Sequence, residues 1–139
     1  MKHLALSLFL ALPLAGFAQG SDALYLAWGG KAGIQAVMND FVPRLKAHAR
    51  IGSHFKDTNS KHLAEQLTLQ LCQLAGGPCQ YDGPDMKTAH EGMGLRRADF
   101  NALVEQLQLS MESRGIPFAA QNRMLALLAP MHRDIVSTR

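Results

Sequence analysis

His90 raises the first chemical question. It lies in MKTAHEGMGL, residues 86–95, with Met86 and Met93 on either side and Gly92 two residues on. An imidazole in apolar company is either a ligand or a satisfied core side chain, and these ten residues leave both readings open. The longer stretch from Gly76 to Gly94 also carries Tyr81. It is glycine-rich and mostly without periodicity, which is unusual inside a compact helical chain unless function holds it. His48, His54, His62 and His132 fall on polar or mixed faces and read as solvated side chains.

Two cysteines, Cys72 and Cys79, bracket a sharp turn at Gly76-Gly77-Pro78. A disulfide there would stabilise by about 2–3 kcal/mol in the chain-entropy picture. The alternative is a buried Cys72 and an exposed Cys79 thiol, because spacing does not fix the Cα separation. Two cysteines without another ligand pair nearby do not make a zinc site. No C-x-x-C-H is present, which excludes covalent c-type haem attachment.

The elements that must position these residues are helical. The composition, 47% hydrophobic and 18% charged, is that of one globular domain. Lys2 and His3 precede an apolar run from Leu4 to Leu14, and Gly16-Phe17-Ala18 follows with small residues at the first and third positions. That pattern predicts a secretory signal over 1–18, a domain over 19–139 and a periplasmic or secreted location. The run is too short to remain as a membrane span, so no membrane anchor is expected after cleavage. Fourteen basic residues are scattered without a cluster and the formal charge is only +3, so no nucleic-acid partner is expected.

Asp22 to Trp28 reads as a short helix stopped by Gly29-Gly30. Ile34, Val37, Met38, Phe41 and Leu45 then form an apolar stripe at helical spacing, with Pro43 inside it as an expected kink. Asn59-Ser60 supplies a cap for a third helix, lined by Leu63, Leu67, Leu71 and Leu74. Asp85 can cap a brief helix through His90 that ends at Gly92 or Gly94. Phe100, Leu103, Val104, Leu107 and Met111 form the next stripe, closed by Gly115. Pro117 opens the last, where Met124, Leu127, Leu128, Met131 and Ile135 face inward around Pro130. The fold class predicted is all-α, with four substantial helices.

In order and spacing, LYLAWGGKAGIQAVMNDFVPRL, His54-Phe55, LAGGPCQYDGPDMKTAHEGMGL and DFNALVEQL resemble the group 1 truncated haemoglobins. The resemblance runs from Leu24 to about Val136. It implies a truncated globin fold, two antiparallel helix pairs stacked across a non-covalent haem b. His90 matches the proximal histidine that binds the iron, and Phe55 the phenylalanine wedged against the opposite side of the porphyrin. Leu63 and Leu67 match third-helix positions facing the distal ligand, with Leu71 a turn further along. Tyr81 and Met86 match residues at the haem edge, where a tyrosine hydroxyl approaches a propionate. Phe100 matches an aromatic wall behind the histidine, and the resemblance gives Met86 and Leu95 a porphyrin to pack against. Independently of any family, iron in haem needs an axial base, and its flat apolar disc suits leucine, methionine and phenylalanine. Lys61, His62 and Gln66 are candidates for the polar rim.

One departure matters most. Where most relatives carry a tyrosine that donates a hydrogen bond to the bound ligand, this chain has Val42, and Leu67 replaces a frequent glutamine. Losing a bond to polarised dioxygen costs on the order of 1–3 kcal/mol, or roughly tenfold to a hundredfold in retention. The expectation is an apolar distal pocket with poor oxygen retention and a relative preference for nitric oxide and carbon monoxide. Gln66 is the nearest donor that could enter, and His62 the alternative. The leading functional reading is a haem protein that binds diatomic gases in the manner of an oxygen carrier, monomeric, with a reductase as a further partner. The competing readings are a haem enzyme detoxifying nitric oxide or peroxide, a redox or gas sensor, and a haem-free helical bundle.

Overall fold

A computed structural model describes residues 21–137, so the leader expected over 1–18 lies outside the described residues. Helix α1 spans Ala23–Ala27 and α2 spans Gly30–Ala47. Gly29 and Gly30 between them have φ of 80° and 70°, left-handed values that cost a glycine little, and the chain turns there. A 3-10 turn at Gly52–Phe55 leads to α3, Ser60–Leu74, whose Asn59 cap accepts from the His62 N–H at 3.0 Å. Short helix α4, Met86–His90, starts on Asp85, whose carboxylate accepts from the Thr88 N–H at 2.9 Å. Helix α5 covers Arg97–Ser113 and α6 Phe118–Leu128; a 3-10 turn at Ala129–Met131 then precedes α7, His132–Ile135. Among the described residues there is no strand, so the all-α expectation holds.

Helix α2 is the spine: it lies against both α3 and α5, while α6 packs on α1 and α3. Ile34, Met38 and Leu45 of α2 are almost completely buried with Met111 of α5 and Met124 of α6. Each such side chain contributes about 1.5–3 kcal/mol by leaving water. Trp28 closes one end of this core at 1% exposure, and its indole N–H donates to the Ala120 carbonyl at 3.3 Å. Helix α2 continues through the exposed Pro43, so that residue does not end it.

Two expectations change in detail. Leu127 is exposed rather than inward, because α6 packs through Ala120, Gln121 and Met124, and Pro130 ends regular helix soon after. The helix that carries His90 stops at His90 itself, and Gly92 and Gly94 follow with φ of 75° and 63°. Cys72 and Cys79 form a disulfide with their Cα atoms 5.7 Å apart, tying the buried end of α3 to the loop before α4.

Candidate functional site

Helices α2, α3, α4 and α5 do not close on one another completely. They leave a cavity of about 390 Å³, inside the range of small-molecule and cofactor sites. Helix α3 supplies one wall with Leu63, Gln66, Leu67 and Gln70, which share a face at i, i+3, i+4 and i+7. Phe41 and Leu45 of α2 and Phe55 of the 3-10 turn extend it. Met86, Ala89 and His90 of α4, Leu95, and Phe100 and Leu103 of α5 complete the lining, with Ile135 of α7.

His90 is half-buried, and its Nδ1 lies 2.8 Å from the Met86 carbonyl oxygen. A carbonyl only accepts, so Nδ1 carries the proton in this contact and Nε2 keeps its lone pair in the neutral ring. This is how a metal-ligating imidazole is oriented by its neighbours. Phe100, in the same lining, packs edge-on against His132, their ring centroids 4.9 Å apart. Among the described residues, no three His, Cys, Asp or Glu side chains gather to hold a metal by themselves. One imidazole suffices only for a metal that brings its other ligands along, as the iron of a porphyrin does.

Of the residues singled out in the sequence, Phe55, Leu63, Gln66, Leu67, Tyr81, Met86, His90, Leu95 and Phe100 meet at the cavity. Val42, Leu71 and His62 are not brought to it. Val42 and Leu71 are buried in the core at 1% and 3% exposure, and His62 is exposed. In each case the neighbour one position along faces inward instead: Phe41, Gln70 and Leu63. Lys61 is also exposed and outside the lining.

The polar groups need separate accounting. The Tyr81 hydroxyl donates to the Pro84 carbonyl at 2.8 Å, so within its own loop it is already engaged. Burial, with the charges of Asp82 and Asp85 added, pushes its ionisation above the ordinary tyrosine value. Asp99 at the cavity margin accepts from the Arg96 N–H at 2.8 Å and from Arg50 Nε at 2.7 Å, and these bonds hold its carboxyl below the usual range. Gln66 donates to Asp82 at 3.4 Å, but its Oε1 is buried with no donor. Gln70, which sequence reasoning passed over, presents its amide nitrogen to the sulfurs of Met86 at 3.4 Å and Met131 at 3.9 Å. Thioethers are weak acceptors, so that amide is poorly satisfied. The signal for Gln70 was its place seven residues after Leu63, on the same face.

Residues 23–137 match the bacterial-like globin family. A group 1 truncated haemoglobin of Tetrahymena pyriformis is 30% identical over 115 residues, covering 83% of this chain and 95% of that protein. The chain belongs to the group 1 truncated haemoglobins. A second relative of this truncated haemoglobin, from Synechocystis sp., is 31% identical over 84% of the chain and 98% of its own length. The crystal structure of the Tetrahymena pyriformis protein in its Fe(III) form superimposes with a TM-score of 0.79, at 30% identity over 83% of this chain and 98% of that one. The 2/2 haemoglobin of Synechococcus sp., solved in the cyanomet state with covalently attached haem, has the same fold at 21% identity, with a TM-score of 0.75 over 81% of this chain and 97% of that one. Truncated haemoglobins bind haem, and the apolar walls, the oriented imidazole and the cavity of this member fit that group.

Proposed function

We propose that the cavity holds haem b with His90 as the proximal iron ligand, and that the protein binds diatomic gases. The observation that carries this reading is the Met86 carbonyl on His90 Nδ1, which leaves the Nε2 lone pair available on a side chain that lines the apolar cavity. When bound, the haem supplies iron with one remaining coordination position for a gas. The chain's residues do the rest. Leu63, Leu67 and Phe55 exclude water, Met86 and Leu95 pack against the ring, and Phe100 adds to the apolar lining. The cavity brings no tyrosine to the place of Val42, and the Gln66 amide nitrogen is turned to Asp82. The Gln70 amide nitrogen faces the Met86 and Met131 sulfurs, so neither glutamine turns its donor toward a bound gas. Poor oxygen retention with relatively better binding of carbon monoxide and nitric oxide follows.

A peroxidase needs an acid–base group placed to help cleave the O–O bond, and the α3 wall of leucines and amides does not supply one. Of the titratable groups in the lining besides His90, Asp99 is tied to Arg50, Tyr81 to Pro84, and His54 is exposed to solvent. A ligand-binding role is therefore favoured over a detoxifying enzyme. The N-terminal pattern and the Cys72–Cys79 bridge support an oxidising location, periplasmic or secreted. Among the described residues no helix is long and apolar enough to cross a membrane. Titrating the apoprotein with haem tests the reading. One haem per chain with a visible absorption band, and an oxygen complex that dissociates fast, is expected; no haem uptake would overturn it.

A further inference from the structure

Gln66, Gln70 and Gln73 stand at i, i+4 and i+7, so one stripe of α3 carries three primary amides. All three meet α4 or the segment that leads into it. Gln73 Oε1 accepts from the Tyr81 N–H at 2.7 Å, Gln70 Nε2 faces the Met86 sulfur, and Gln66 Nε2 donates to Asp82 Oδ1 at 3.4 Å. Gln66 alone combines a place in the cavity wall with a charged partner outside it. Its oxygen is buried without a donor, so the amide is held at its nitrogen end only. A carboxylate accepts and does not donate, so Asp82 selects the NH₂ end of the amide. The loop does not drift freely, because the disulfide at Cys79 and the Gln73 bond at Tyr81 pin it just before Asp82.

We propose that Asp82 is a specificity-determining residue that withholds the Gln66 amide donor from the cavity. The inference rests on the haem-binding reading above. Dioxygen gains partial negative charge when it binds and is retained by an N–H donor, whereas carbon monoxide gains much less. With the Gln66 nitrogen committed to Asp82, the pocket discriminates against dioxygen. Without Asp82, the amide is free to turn its nitrogen inward.

The test measures the oxygen dissociation rate of the ferrous holoprotein and the C–O stretching frequency of its carbon monoxide complex. Five proteins are compared: wild type, Asp82→Leu, Asp82→Asn, Gln66→Leu and the Gln66→Leu/Asp82→Leu double variant. Asp82 is exposed, so the fold should tolerate these changes. Asp82→Leu should slow oxygen release about tenfold and lower the C–O frequency, as a new donor would. Asp82→Asn can donate as well as accept, so it no longer selects the nitrogen end and should slow release by less than Asp82→Leu. In the Gln66→Leu background, adding Asp82→Leu should leave the rate that Gln66→Leu alone sets. An unchanged rate in Asp82→Leu, or a slowing that persists in the double variant, overturns the proposal. Absence of a haem band in the wild type would instead overturn the haem reading beneath it.

Discussion

Helix α2 buries Ile34, Val37, Met38, Phe41, Val42 and Leu45, whereas α4, which carries His90, buries no residue. The first is held by area removed from water and lies against two long helices. The second is five residues long and leans on α7, which joins it in lining the cavity through Ile135. It persists through local devices: the Asp85 cap, the Met86–His90 bond, and a clasp from the Ser137 N–H to the Leu95 carbonyl at 2.9 Å. So short a helix is not stable by itself in water. Most of the buried area and the His90 imidazole therefore belong to different helices, joined where Phe41 and Leu45 of α2 reach the cavity, and α4 is the part that a bound ring would complete.

Substitutions should separate the two regions. Met38→Ala in the α2 core should cost about 2–5 kcal/mol of stability, measured by denaturant unfolding, while the folded fraction still takes up one haem per chain. Comparable unfolding caused by a substitution on α4 would erase the distinction. Reducing Cys72–Cys79 should cost about 2–3 kcal/mol and also loosen the loop before α4. Hydrogen exchange should then rise from Gly76 to His90 and hardly at all in α2. Asp85→Ala should leave the melting temperature nearly unchanged and speed exchange of the Thr88 amide, the one it caps.

Acid is the mildest of these perturbations. Hydrogen bonds from Thr88 hold Asp85 below the usual carboxylate range, and the Arg96 backbone and Arg50 do the same for Asp99. A carboxyl whose folded value is lowered stabilises above its unfolded value, about 3.9, and that stabilisation is lost as pH falls through the folded value. Hydrogen exchange between pH 5 and pH 3 should show the first α4 turn and the start of α5 loosening before the α2 core. Simultaneous loss everywhere would contradict that order. Tyr81 has the opposite sign: its raised ionisation stabilises below about pH 10 and is lost as the solution becomes more alkaline.

The same contrast explains what could be read from the residues alone. The long helices announce themselves, because a stripe such as Ile34, Val37, Met38, Phe41 and Leu45 has no other economical fold. Short α4 was legible from its cap, Asp85, and from the glycines beyond His90. Membership of the cavity wall was legible only to the nearest helix face. A rotation of one residue, 100°, decides that Phe41 and Gln70 line the space while Val42 and Leu71 sit in the core. Spacing does not set that rotation; packing against neighbouring helices does. The Arg50–Asp99 pair spans 49 residues, and the two ends of the Gln66–Asp82 bond lie on different elements, so neither has a local signature. The disulfide was undecided for the same reason, since its geometry depends on how the turn at Gly76 and Gly77 closes.

The central claim is that His90 is the iron's protein ligand. The most direct measurement is the absorption spectrum of the ferrous and ferric protein beside that of His90→Gly, with and without added imidazole. Wild type should bind haem with a single-histidine spectrum. The variant should bind haem weakly with an altered spectrum, and imidazole should restore the wild-type bands. A variant that retained haem with an unchanged spectrum would show that the ligand lies elsewhere.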